Sequence, residues 1–403
     1  MGTLVERLAE LAVRVGACVQ PGQDVVVLAF DVEQAPIARA VADAAYLAGA
    51  RFVSVLYWDQ HVKRSRLVHA REETLGFVPD WWEGMISECV KRHSALIIVW
   101  GDPHRALLDD VASERIARDH MPLTPSLFRA VSGGEIAWTF VPGPCPGLAE
   151  AILGTGDLER LWELLTPMLR LDAADPEVAW REHLARLQER VAALERHDFS
   201  ALHFRGGGTD LTVGLLMQAR WTSVPLHTTW GTPIVVNMPS EEVFTTPDHR
   251  RTEGVVRVTR PINLIGGGRV EGLTIHFEQG RAVQVQATRG AELVRAQMAT
   301  DAGAPRLGEV ALVDGSSPVG QTGMVFGDIL IDENATSHIA WGSAYAFTAP
   351  DLPDDEKAQI ALGFNHSAVH QDAMIGGPEV DVLGVDHDGV EIAVIVADSW
   401  VLT

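Results

Sequence analysis

Five residues in the second half of the chain have the types that metal chemistry needs. His370-Gln371-Asp372 sets an imidazole and a carboxylate two residues apart, on one face wherever the segment is extended. His338 stands in Ile331-Asp332-Glu333-Asn334-Ala335-Thr336-Ser337-His338-Ile339-Ala340, an odd mixture for a plain core strand. Glu309 is embedded in Leu307-Gly308-Glu309-Val310-Ala311-Leu312-Val313, and Glu242 in Pro239-Ser240-Glu241-Glu242-Val243-Phe244. A carboxylate flanked by apolar residues is a candidate for burial, and a buried carboxylate is paired or binds a cation. Two Glu, one Asp and two His make an O/N ligand set for two divalent ions sharing a bridging carboxylate. Spacing alone leaves the set a conjecture, because any one of these residues can equally be a hydrogen-bonded buried polar group.

Competing chemistries lack their motifs. There is no GxxxxGK[ST] loop, and neither Gly206-Gly207-Gly208 nor Gly266-Gly267-Gly268 has the strand–GxGxxG–helix context of a dinucleotide site. Both runs read as hairpin turns, as does Gln279-Gly280. No GxSxG elbow occurs, Trp341-Gly342-Ser343-Ala344-Tyr345 does not replace one, and no HExxH helix is present.

The elements that must position these residues fall into two groups. A helix pattern over roughly 3–18 precedes the apolar run Val25–Phe30. A second helix pattern through Ile37, Ala38, Val41, Ala45 and Leu47 follows, then the runs Phe52–Tyr57 and Ala95–Trp100. Short β-branched runs separated by helices predict βαβ units and a buried parallel sheet. The Pro- and Gly-rich stretch Val141–Gly147 is loop chemistry, and Asp175-Pro176 starts a helix with the stripe Leu184, Leu187, Val191, Leu194. From about residue 199 strands alternate with glycine turns. The expected architecture is an α/β domain with an open, mainly parallel sheet over 1–175, and an α+β domain carrying the metal site over 176–403.

Composition narrows the partners. The 403 residues carry 32 Lys+Arg against 54 Asp+Glu, a formal charge of −22, which argues against a nucleic-acid binder. Three of the bases are lysines (Lys63, Lys91, Lys357), and the proposed chemistry needs none. Cys18, Cys89 and Cys145 are too few and scattered for a disulfide framework or a thiolate zinc site, which suits a reducing cytoplasm. The apolar runs are too short to cross a bilayer, and the N-terminus reads as an amphipathic helix rather than a signal peptide.

Read together, the motifs resemble those of the aminopeptidase T/aminopeptidase S family of metallopeptidases. The resemblance is carried by Asn237-Met238-Pro239 with Glu242-Val243-Phe244-Thr245, by Leu307–Val313 with Ser317-Pro318, and by Asp332-Glu333-Asn334 with His338-Ile339-Ala340 and Gly342–Tyr345. His370-Gln371-Asp372 with Met374-Ile375-Gly376 completes it, and Gly22-Gln23, Trp58-Asp59 and Gly208–Val213 also fit, so the whole chain is covered. The resemblance implies that Glu242, Glu309, His338, His370 and Asp372 hold two divalent cations (Zn, Co, Mn or Mg), with Glu309 and Asp372 as bridges. It further implies that Tyr345 reaches the reacting centre, and that the N-terminal domain covers the cavity and helps form a homodimer. Ala373, Glu241 and Gly327 depart from the family pattern without removing a ligand, and bear on pocket size.

The function this implies is an aminopeptidase acting on peptides with a free N-terminus. Two cations lower the pKa of a shared water to near neutrality, and one can polarise the scissile carbonyl. Glu309 is the candidate general base, although a tightly bridging carboxylate is a poorer one, and Tyr345 the candidate donor to the oxyanion. The alternative is a ring-cleaving dioxygenase of the same overall fold, in which His338, His370 and Asp372 would bind a single Fe(II). Glu242 and Glu309 favour two ions and hydrolysis. A metal-stabilised binding scaffold ranks last, since Tyr345 and the base candidate are both present. Asp59-Gln60-His61 and Asp102-Pro103-His104 are loop pairs to which the sequence assigns no chemistry.

Overall fold

The structure is a computed structural model describing residues 2–264 and 268–403; the turn read at Gly266-Gly267 falls outside them. The chain forms two compact units, residues 1–183 with 224–240, and residues 184–223 with 241–403. The division falls inside the helix Pro176–His197, and the stretch 224–240 returns to the first unit.

The first unit is built on β1 (Asp24–Ala29), β2 (Phe52–Tyr57), β3 (Ala95–Trp100) and β4 (Ala137–Pro142). All pairings are parallel, in the order β2-β1-β3-β4. The β-branched runs form these strands because a central parallel strand is covered on both faces and has no polar side to show. Val25, Val27, Ile97 and Val99 are accordingly almost wholly buried. The helix Ala35–Leu47 makes the crossover from β1 to β2, with Pro36 in its first turn where a missing N–H costs nothing.

The second unit's two larger sheets among the described residues are antiparallel. In chain order its main strands are β5 (Ala201–Gly206), β6 (Thr209–Leu215), β7 (Val243–Thr245), β8 (Pro247–Arg257), β9 (Thr274–Glu278) and β10 (Arg281–Gln286). They continue with β11 (Leu307–Leu312), β12 (His338–Gly342), β13 (His370–Met374), β14 (Asp381–Val385), β15 (Glu391–Val396) and β16 (Ser399–Trp400). The larger sheet runs β10-β9-β8-β6-β5-β14-β15-β16 and the smaller β13-β12-β11-β7. Two predicted turns are two-residue hairpins in which both central residues have positive φ. They are Gly207-Gly208 (59° and 91°) between β5 and β6, and Gln279-Gly280 (48° and 75°) between β9 and β10. That backbone matches the right-handed twist of the paired strands. All five candidate ligands belong to the smaller sheet or to the residue just before it.

Candidate metal centre

Register puts the ligands on one face. Ala340 of β12 pairs with Glu309 of β11 on one side and with Asp372 of β13 on the other. Residues directly opposite share a face, as do residues two apart along a strand. His338 therefore joins that face through Ala340, and His370, paired with Gly342, joins it as well. On the outer strand, Ala311 pairs with Phe244, so the alternation carries back to Glu242, two residues before Phe244. The middle strand offers only Ala340 and Gly342 between the flanking acids and imidazole. Gly342 is obligatory, with φ 102° and a hypothetical Cβ 2.0 Å from the Val369 carbonyl.

The side chains converge as two triads, Glu242–Glu309–His338 and Glu309–His370–Asp372, with Glu309 common to both. Glu242 Oε2 lies 3.1 Å from His338 Nε2, and His370 Nε2 lies 3.4 Å from Glu309 Oε2 and 3.5 Å from Asp372 Oδ1. Donors held about 2.0–2.2 Å from one ion at tetrahedral or octahedral angles stand about 3–3.5 Å apart, so these spacings are compatible with a shared cation as well as with ion pairs. Two atoms make the same point. Glu242 Oε2 and His338 Nδ1 are buried and outside any regular hydrogen bond, Glu242 Oε2 meeting His338 Nε2 as an ion pair at 3.1 Å. A buried carboxylate oxygen needs a positive partner, which protonated His338 or a bound cation can supply. His370 is oriented by the Ser343 carbonyl, 2.8 Å from Nδ1. Since a carbonyl only accepts, Nδ1 carries the proton and Nε2 is the atom turned to the acids.

Electrostatics follows the crowding. Burial pushes the Glu309 carboxyl up, relieved by His370 and reinforced by Glu242 and Asp372. Burial would lower both imidazoles, but the surrounding carboxylates outweigh it. His338 is held up to about 9, chiefly by Glu242, and His370 well above its ordinary value, chiefly by Asp372. Asp372 is lowered despite burial because it faces both imidazoles. Three acids and two protonated imidazoles so arranged form a site where dications can replace protons.

Tyr345 closes one side. Its ring lies 4.6 Å from that of His370 and stacks on Phe347 at 5.2 Å, which meets Phe244 edge-on at 5.9 Å. Burial first, and then the charges of Glu309, Asp372, Glu333 and Glu242, push its phenol well above the ordinary value, so it is a donor at neutral pH.

Glu333 was visible in the sequence only as part of a motif. It is buried in the single turn Glu333–Ala335, and burial, then the charges of Glu242, Asp372, Glu309 and Asp328, push its carboxyl well above the usual range. No spacing rule links it to the five ligands; its apolar-polar setting before His338 was the one available signal. Gly327 has φ 63°, a left-handed conformation that a residue with a bulky side chain holds only under strain.

The loop pairs of the first unit lie outside both triads. Asp59 caps a helix through the N–H groups of His61 and Val62, and Asp102 accepts from the His104 N–H. His104 Nε2 is 3.1 Å from Asp31 Oδ2, with its ring 4.6 Å from that of His61.

Fold and site together define a two-unit protein with a carboxylate–imidazole centre fit for divalent cations. The family model described as thermophilic metalloprotease (M29) matches residues 2–400, and the chain belongs to that family. It is similar to aminopeptidase T of Thermus thermophilus, 42% identical over 407 residues covering 99% of this chain and 98% of the relative. A solved structure of wild-type AmpT from Thermus thermophilus matches with a TM-score of 0.89 at 39% identity, covering 99% of each chain. The solved 2,5-dihydroxypyridine dioxygenase of Pseudomonas putida KT2440 covers 100% of this chain and 98% of its own, with a TM-score of 0.54 at 14% identity, a likeness of fold alone.

Proposed function

We propose that the protein is a metal-dependent aminopeptidase. In this reading Glu242, Glu309 and His338 hold one divalent cation, and Glu309, His370 and Asp372 hold a second. The observation that carries the reading is the sharing of Glu309 by both triads, within a chain of the M29 family.

Bound divalent cations supply hydroxide near neutral pH and polarise a carbonyl. The chain's own groups do the rest. Glu309 is the candidate that accepts the proton of the attacking water and returns it to the leaving amine, a role that its sharing between two cations makes weaker than that of a free carboxylate. The Tyr345 hydroxyl donates to the oxyanion of the tetrahedral intermediate, and the neighbouring Phe347 and Phe244 rings keep that bond in a low-dielectric setting. Glu333 brings a fourth carboxyl, pushed up by burial and by the charges of Glu242, Asp372 and Glu309, so a cation at the centre, whether an ion or the α-ammonium of a peptide, would favour its ionised form and be favoured by it in turn. That preference for a free N-terminus would make the enzyme an exopeptidase. Zn, Co, Mn and Mg are the candidate ions. A cytoplasmic homodimer is the setting we infer, and no helix among the described residues is long and apolar enough to cross a membrane.

The test is hydrolysis of aminoacyl p-nitroanilides after dialysis against chelator. Activity should vanish and return with Co, Zn, Mn or Mg. Cleavage that resists the chelator, or N-acetylated peptides cleaved as fast as free ones, would contradict the proposal.

A further inference from the structure

Of the five proposed ligands, Glu242 alone sits on no strand: it precedes Val243, the first residue of β7, so no ladder fixes its backbone. A buried carboxamide does so instead. Asn334, fully buried, accepts from the Glu241 N–H through Oδ1 at 2.7 Å and donates from Nδ2 to the Leu330 carbonyl at 3.0 Å. Its own carbonyl accepts from Ser317 Oγ at 2.5 Å, and Ser317 Oγ accepts in turn from the Val319 and Gly320 N–H groups. Gly320 packs on the neighbouring Ala335 carbonyl so closely that a Cβ would come within 2.5 Å. The turn Glu333–Ala335 is therefore locked in place, and Asn334 ties it to the residue before Glu242. The same turn leads within three residues to His338, whose Nε2 is the 3.1 Å neighbour of Glu242.

We propose that Asn334 is a positioning residue for one of the two cations. Through the Glu241 amide it sets the reach of Glu242 toward His338 and Glu309, and hence the affinity of that triad. The triad Glu309–His370–Asp372 stands wholly on paired strands and does not depend on it. The inference rests on the two-cation reading above. Outer partners that orient a ligand change metal affinity by about 10–100-fold when removed.

Calorimetric titration of the chelator-stripped full chain with Co or Zn tests it. The wild type should show two classes of site, one of them lost in His338→Ala. In Asn334→Ala that same class should weaken by about 10–100-fold while the other stays within about twofold. Asn334→Asp keeps the acceptor for the Glu241 N–H but loses the donor to the Leu330 carbonyl, so its weakened class should fall between alanine and wild type. If the alanine variant does not fold by circular dichroism, Asn334→Ser carries the same expectation of a selective loss. Equal weakening of both classes, no change in either, or an aspartate variant as weak as alanine overturns the proposal. A wild type that binds a single cation instead overturns the two-cation reading itself, and is told apart because it needs no variant.

Discussion

Glu309 and Asp372 stand opposite the same residue, Ala340, from the two strands that flank β12. Adjacent strands are about 4.8 Å apart, so the two backbones are separated by about twice that distance. The carboxylates meet the imidazoles only because the residue between them is small. Ala340 is fully buried, and its methyl leaves the face of the middle strand open to the longer side chains on either side.

Ala340→Leu should therefore close the centre without removing a ligand. Overpacking of this kind costs about 1–3 kcal/mol, which a cooperative unit of this size can absorb. The expected outcome is a folded chain with a lowered Tm and metal content reduced to one ion or fewer, read by elemental analysis after dialysis. Full metal content in the variant would refute the role given to Ala340.

Tyr345→Phe deletes one hydroxyl and keeps the ring against His370 and Phe347. Loss of an oxyanion donor typically costs about 10²–10³ in kcat. We expect that loss with metal content unchanged and KM altered little. A variant with wild-type kcat would make Tyr345 a packing residue.

Cation loading should release protons. His338 and His370 are held protonated by their carboxylates, His338 up to about 9, and an imidazole must lose a proton to become a ligand. The sign is fixed: cation affinity falls as pH falls below those raised values, because protons then compete. Calorimetry at neutral pH in buffers of different ionisation enthalpy should report net proton release, and buffer-independent heats would contradict it.

A second pH effect lies on the larger sheet. Burial would lower His203, but Asp210 at 2.8 Å and Glu391 at 2.7 Å outweigh it and raise its pKa. A group whose folded pKa is raised contributes stability that is complete below its unfolded value and is lost as pH rises through the folded one. His203→Gln should therefore destabilise the chain at pH 6 and have little effect once His203 has deprotonated in the wild type. The difference should be small and should shrink with salt, since Asp210 and Glu391 are exposed. A Tm difference that grows with pH would reverse the assignment.

Much of this was legible in the sequence, for definable reasons. The parallel strands could be read because their burial on both faces leaves continuous β-branched runs such as Val25–Leu28 and Ala95–Val99. His370 and Asp372 could be placed on one face because a strand repeats every two residues. Their meeting with Glu309 could not be derived that way. It depends on pairing across β12 and on a register shift between Leu307 and Glu309, and both are long-range choices. Asn334 was likewise opaque: its partner is the amide of Glu241, which no local pattern connects to it. The return of residues 224–240 to the first unit left no mark in composition either.

Metal analysis of the purified chain tests most directly whether Glu309 is shared by both triads. Wild-type protein should carry two divalent cations per chain, and Glu309→Gln, folded, should carry one or none and show no peptide hydrolysis. A single iron per chain with oxygen uptake, or a Glu309→Gln chain that keeps both ions and full turnover, would contradict the account.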